Sequence, residues 1–175
     1  MASSLLFLAM TLSLSGYVRA ENLTALPIIC VKSDFYGDFC RTQGTAVPSS
    51  DAFHSFTVNK ECVCRQACWA HPECVALSVE PISKSQNFEC HLSKKGPLDS
   101  DLQLTPKATY IFTYKSLSPT LFIGMHSDGM HYLVPNQRKD WEDCKDECAK
   151  VPGHRFGIFH STEQYNTLVE IQQEI

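Results

Sequence analysis

The sequence predicts an α+β fold, a helix stapled to a hairpin by disulfides, on three observations. Cys64, Cys68, Cys74 and Cys90 follow a C-x3-C-x5-C-x15-C spacing. Cys64 and Cys68 stand one helical turn apart, so a helix there presents both on one face. Val75, Leu77 and Val79 then alternate with Ala76, Ser78 and Glu80, the period of a half-buried strand.

The elements around this staple follow from local signals. Asn59 is the candidate N-cap, with Glu61 in the first turn near the positive end of the helix dipole. Pro72 marks the stop. Phe88 to Leu92 reads as a second short strand carrying Cys90. Cysteine arithmetic alone leaves three connectivities open. Side chains at i and i+4 of a helix point the same way, which gives a Cys64–Cys68 bridge poor geometry. The turn at His71–Pro72 returns Cys74 beside the helix C-terminus, nearest Cys68, and leaves Cys64 for Cys90. The expected bridges are Cys68–Cys74 and Cys64–Cys90, the larger loop contributing about 3–4 kcal/mol in the chain-entropy model.

The segments CRQACWAHPECVALSVE and ECHL resemble the PAN/apple domain, and flanking strands extend the likeness from Ile28 to Lys115, a domain at 28–116. The resemblance implies a single helix packed on a small antiparallel sheet and held by two such bridges. Leu26 to Phe56 is weakly strand-like, broken by Gly37, Gly44 and Pro48. Cys30 and Cys40 close a local hairpin there, or one of them reaches Cys62 beside the helix. The family's optional third bridge usually joins the two terminal strands. The last strand here, Ala108 to Lys115, has no cysteine, which leaves the pairing of Cys30, Cys40 and Cys62 open. Lys94 to Lys107, with Gly96, Pro97 and Pro106, reads as a surface loop. Ser116 to Thr120 reads as a polar inter-domain linker.

The chain opens with an apolar run, Leu5 to Leu14, followed by Val18-x-Ala20, the pattern of a secretory signal peptide over residues 1–20. A retained signal anchor is the competing reading. Asn22-Leu23-Thr24 is an N-glycosylation sequon. Removing Arg19 with the leader leaves 14 basic against 19 acidic residues, a balance of −5. That charge gives no support for nucleic acid or anionic membrane as a partner. No later stretch reaches the length of a membrane span. Nine cysteines in an exported chain imply bridges made in an oxidising compartment.

Residues 120–175 read as a second unit. Two apolar runs flank a turn at Ser127-Asp128-Gly129. Asp140 is the candidate N-cap of a helix that places Trp141, Cys144, Cys148 and Val151 on one face, ended by Pro152-Gly153. Arg155 to Phe159 reads as a strand. Ser161-x-x-Gln164 is a capping box opening a further helix, with Tyr165, Leu168, Val169 and Ile175 inward. HYLVP, DWEDCKDEC and GHRFGIFHSTEQYNTL resemble the N-terminal half of a C-type lectin-like domain, with Phe156-Gly157 where the family usually has Leu-Ala. The family's Ca²⁺ and sugar ligands lie in its second half, and those segments are not in these 175 residues. Ca²⁺-dependent sugar binding is therefore not assigned, because such a site needs six or more converging oxygens. The expected state is a fragment of a longer protein or a truncated lectin-like segment. An odd cysteine count leaves at least one thiol over. Cys148, whose family partner is missing, is the first candidate, and Cys144 either bridges to an N-terminal cysteine or joins another chain.

No residue set points to catalysis. His126 and His131 around a turn, and His154 and His160 flanking a strand, lack any recognised zinc spacing, so neither metal nor other cofactor is expected. Cys62-x-Cys64 is not a C-x-x-C redox pair. No Gly-rich phosphate loop or Gly-x-Ser-x-Gly elbow occurs. Arg65, Lys84, Lys94 and Lys95 form a candidate polyanion contact near the staple, since some PAN domains bind sulfated polysaccharide. Trp69 reads as core. The expected function is secreted, extracellular and non-catalytic recognition of a glycan or an extracellular protein. The alternative is a structural or adhesive matrix or mucus component, disulfide-linked into oligomers. The accessory region of a secreted enzyme comes third.

Overall fold

The structure, a computed structural model, describes residues 23, 26–31, 39–117, 120–123, 132–135, 139–154, 157 and 161–174. Its main feature is a six-stranded antiparallel sheet. The strands are β1 (Ile28–Val31), β2 (Phe39–Ala46), β3 (Ala52–Val58), β4 (Ala76–Pro81), β5 (Phe88–Ser93) and β6 (Gln103–Thr113), in the order β1-β2-β6-β4-β5-β3. Helix α1 (Glu61–Ala70) joins β3 to β4. A 3-10 turn (Tyr114–Leu117) leads to a separate ribbon of β7 (Thr120–Ile123) and β8 (Tyr132–Pro135), then α2 (Trp141–Lys150) and α3 (Thr162–Glu174). The fold class is mixed α+β.

Helix α1 forms because its cysteine positions fall on one side, and Cys64 and Cys68 are the two residues it buries. Its start differs from the sequence expectation. The N-cap is Lys60, in extended backbone and without a side-chain cap, so Asn59 lies one residue too early to bond the first turn. The helix ends at His71, whose N–H donates to Cys68 O at 3.1 Å, with Pro72 next.

The strands 88–92 and 75–80 appear as β5 and β4, and cross-strand pairing defines two faces. On one face, Leu77 stands opposite Ile111 and Leu92, and Val79 opposite Cys90. These join Phe39, Val58, Cys64 and Cys68 in a core beneath α1. On the other face, Ala76 opposes Phe112, and Tyr110 and Phe112 stack at 5.5 Å between ring centroids. Their core also holds Cys40, Val47, Leu102, Leu117 and Val151.

The stretch 94–107 is only partly a loop. Strand β6 already begins at Gln103, and Pro106 lies within it. Pairing with β2 jumps from Thr45–Leu104 to Gln43–Thr109, so Pro106 sits where no donor to β2 is needed. Gly44 occupies the matching irregularity on β2 with φ +92°, a conformation open to glycine. The start of the expected linker is also not an exposed connector. Ser116 and Leu117 are buried, Leu117 completely.

The C-terminal elements meet the sheet. Val151 is fully buried in the second core, and Gly153 N–H donates to Leu23 O at 3.1 Å. Asp140 caps α2, its carboxylate accepting from Asp143 N–H at 2.9 Å, and Ser161 Oγ accepts from Gln164 N–H at 3.2 Å at the start of α3. The apolar faces differ from expectation. Trp141 is 56% exposed, with Lys145 Nζ 5.1 Å from its ring centroid, and Tyr165 is 58% exposed. Among the described side chains of α3, Thr167 and Ile171 are buried. The leader 1–20, Asn22, Gly37, the 127–129 turn, His126, His131, His160, Ile175, the Leu168 side chain and, apart from Gly157, the 155–159 segment lie outside the described residues. Gly157 itself is not in a strand.

Candidate functional site

Three bridges set the platform. Cys64 bonds to Cys90 and Cys68 to Cys74, tying α1 to β5 and to the turn entering β4. Cys30 bonds to Cys40, directly opposite it in the β1–β2 register. Their 4.1 Å Cα separation is that of a non-hydrogen-bonded antiparallel pair, where side chains approach most closely. The hairpin alternative is thus the one realised, and Cys62 is left free and exposed on α1. Cys144 and Cys148 are also free and half-buried on α2. Burial pushes the Cys148 thiol up to about 11, with the neighbouring Cys144 and Glu147 adding to it.

Two groups of side chains flank α1. Along the side nearer β2, Arg41 pairs with Glu61 at 3.4 Å, and the Arg65 guanidinium stands 5.8 Å from the Trp69 ring centroid. Trp69 leans on Phe39 with centroids 5.9 Å apart, so it is a half-buried residue at the rim of the core. Arg65 Nε is buried without a hydrogen-bond partner among the described residues. At the C-terminal end of α1, His71 meets Phe53 at 4.7 Å between centroids, and Lys94 Nζ lies 5.4 Å from the Phe53 centroid. Such cation–aromatic contacts are a recurrent recognition geometry. Phe53 reaches this position because β3 bulges between Ala52 and His54. The sequence signals for this aromatic group were weak, since Phe53 and His71 are brought together only by the β3–α1 connection.

The four candidate cations do not form one patch. Lys84 sits in the β4–β5 turn with φ 69°, while Lys94 follows the other end of β5, roughly 17–20 Å away along a six-residue strand. Lys94 is paired with Glu73 at 2.6 Å and Lys95 with Asp51 at 2.6 Å. Asp51 also accepts from Ser100 Oγ at 2.8 Å. The Lys95 ammonium, then Ser100, hold the Asp51 carboxyl below its ordinary range. Two of the four charges are therefore already balanced by carboxylates.

Other chemistry is sparse. Ser55 Oγ lies 2.9 Å from His91 Nδ1, and Glu89 Oε1 lies 3.9 Å from His91 Nε2. The second distance is beyond hydrogen-bond reach, so the carboxylate does not orient the ring as a nucleophile–base–acid chain requires. His154 Nδ1 donates to Pro152 O at 3.0 Å. Among the described residues no group of three or more His, Cys, Asp or Glu side chains converges as metal ligands. Among them, too, no helix is long and apolar enough to cross a membrane. Comparison with protein-family models, curated proteins and solved structures finds no match to this chain.

Proposed function

We propose that the chain is a secreted, non-catalytic recognition protein that binds a glycan or an extracellular protein through the surface around α1. The observation that carries this reading is the pairing of aromatic and cationic groups, Arg65–Trp69 on the helix fixed by two disulfides and Lys94–Phe53 beside its C-terminal end. Rigid aromatic and arginine contacts yield binding energy at low entropic cost. A helix between β3 and β4, bridged to the sheet and packed on an antiparallel core, supports a PAN/apple-like module over 28–116. The D-W-E-D-C helix and the capped helix after it support a partial lectin-like segment over 120–175. Three bridges favour an exported protein, made in an oxidising compartment.

The second reading, a disulfide-linked structural or adhesive component, is favoured by one feature, the exposed free thiol of Cys62. Glycan and extracellular-protein arrays, run with and without chelator, test the recognition reading. Non-reducing gels separate the two, a covalent multimer favouring the structural one.

A further inference from the structure

We propose that two copies of this chain pair through β3, joining their six-stranded sheets edge to edge into one continuous sheet. Strand β3 ends the sheet, with β5 as its single neighbour among the described residues. An edge strand presents a row of unpaired N–H and C=O groups, and folded proteins ordinarily blunt it with charge, proline or shortness. Strand β3 spans seven residues, AFHSFTV, without a lysine, arginine, carboxylate or proline. Its bulge lies at one end, between Ala52 and His54, and leaves His54–Val58 in unbroken register with Phe88–Leu92. The opposite edge, β1, has four residues, and its Ile28 is packed against Gly153.

The occupant is a second copy because the strand complements itself. Antiparallel pairing about Phe56 sets Phe56 against its twin, Ser55 against Thr57 and His54 against Val58. Phe56 pairs with Cys90, which is bonded to Cys64 of α1, so His54, Phe56 and Val58 lie on the helix face. Ser55 and Thr57 lie on the other. Each pairing across the seam therefore matches apolar or aromatic groups on one face and hydroxyls on the other, as an isologous contact demands. His54, Ser55 and Thr57 are exposed in the single chain and available for it. The contact needs no free thiol, and its seam over His54–Val58 begins one residue beyond Phe53.

The test is sedimentation equilibrium on the full chain, using fractions that run as monomer on a non-reducing gel. The wild type is expected to dimerise reversibly in the micromolar range. Ser55→Lys/Thr57→Lys faces like charges twice across the seam and should weaken the dimer by about tenfold or more. Ser55→Glu/Thr57→Lys faces opposite charges and should restore it. A wild type that stays monomeric up to high micromolar concentration overturns the proposal and leaves the edge to a strand of another protein. An unchanged dimer in the double-lysine variant overturns it as well. Should that variant misfold by circular dichroism, hydrogen exchange on the wild type decides. Amides of His54–Val58 that lose protection on dilution support the seam, and protection independent of concentration contradicts it.

Discussion

Gly153 lies so close to Ile28 that a β-carbon on the glycine would stand 2.4 Å from Ile28 Cγ2. This contact, with the neighbouring Val151 in the core and the Gly153 N–H bond to Leu23, seats the end of α2 on β1. Gly153 also has φ +73°, which side-chain-bearing residues rarely adopt. Gly153→Ala should cost about 2 kcal/mol or more through strain and displacement together. Denaturant melts of wild type and variant check it, and an unchanged midpoint would mean that the two parts of the chain are independent.

Loop size orders the three bridges. Chain entropy gives about 3.5, 2.7 and 2.2 kcal/mol for separations of 26, 10 and 6 residues. Paired Cys→Ala changes should therefore destabilise in the order Cys64–Cys90, Cys30–Cys40, Cys68–Cys74. Urea unfolding of the three double variants measures the order, and a largest loss for Cys68–Cys74 would show that native packing outweighs loop closure.

The thiols should differ in reactivity. With its thiol held near 11 by burial, Cys148 is almost wholly protonated at pH 8, whereas Cys62 is exposed. Cys148 should alkylate about a hundredfold more slowly than an ordinary cysteine and accelerate only as the pH approaches 11. Peptide mass mapping after timed iodoacetamide treatment reads this directly. Equal rates for Cys62 and Cys148 at pH 8 would contradict the burial seen here.

The Asp51–Lys95 pair predicts an acid dependence. Asp51 is held below its ordinary range in the folded state, first by the Lys95 ammonium and then by Ser100. Its contribution is therefore complete above the unfolded aspartate value, about 4, and is lost as pH falls through the folded value. Lys95 is raised by the same partner, so the pair's alkaline loss comes only as pH rises through the folded lysine value. Asp51→Asn should flatten the acid limb of stability against pH while leaving the neutral fold intact. A limb of unchanged steepness would place the acid-sensitive group elsewhere.

Much of the α1 staple was legible because cysteine spacing and helix geometry are short-range. Cys64 and Cys68 share a face in any helix, and the turn after His71 can reach only one of them. What escaped the sequence depended on distant partners. Asn59 carries a capping side chain, yet the strand before it sets the helix start at Glu61. Pro106 reads as a loop residue, and only the broken β2–β6 register lets it stand in a strand. Trp141 reads as core from its spacing, but the sheet meets the end of α2 at Val151 instead. Of the candidate surface, the cations were visible in the sequence, while their neutralisation by Asp51 and Glu73 and the Phe53–His71 contact were not. Those partners lie 44, 21 and 18 residues apart in the chain.

The most direct test of the recognition reading is a glycan and extracellular-protein array probed with wild type and with Arg65→Ala/Lys94→Ala, each with and without chelator. Saturable binding is expected, weakened about tenfold in the variant, in line with the loss of two cation contacts, and insensitive to chelator. No binding to any ligand, or binding that the double variant leaves unchanged, would contradict a recognition surface around α1.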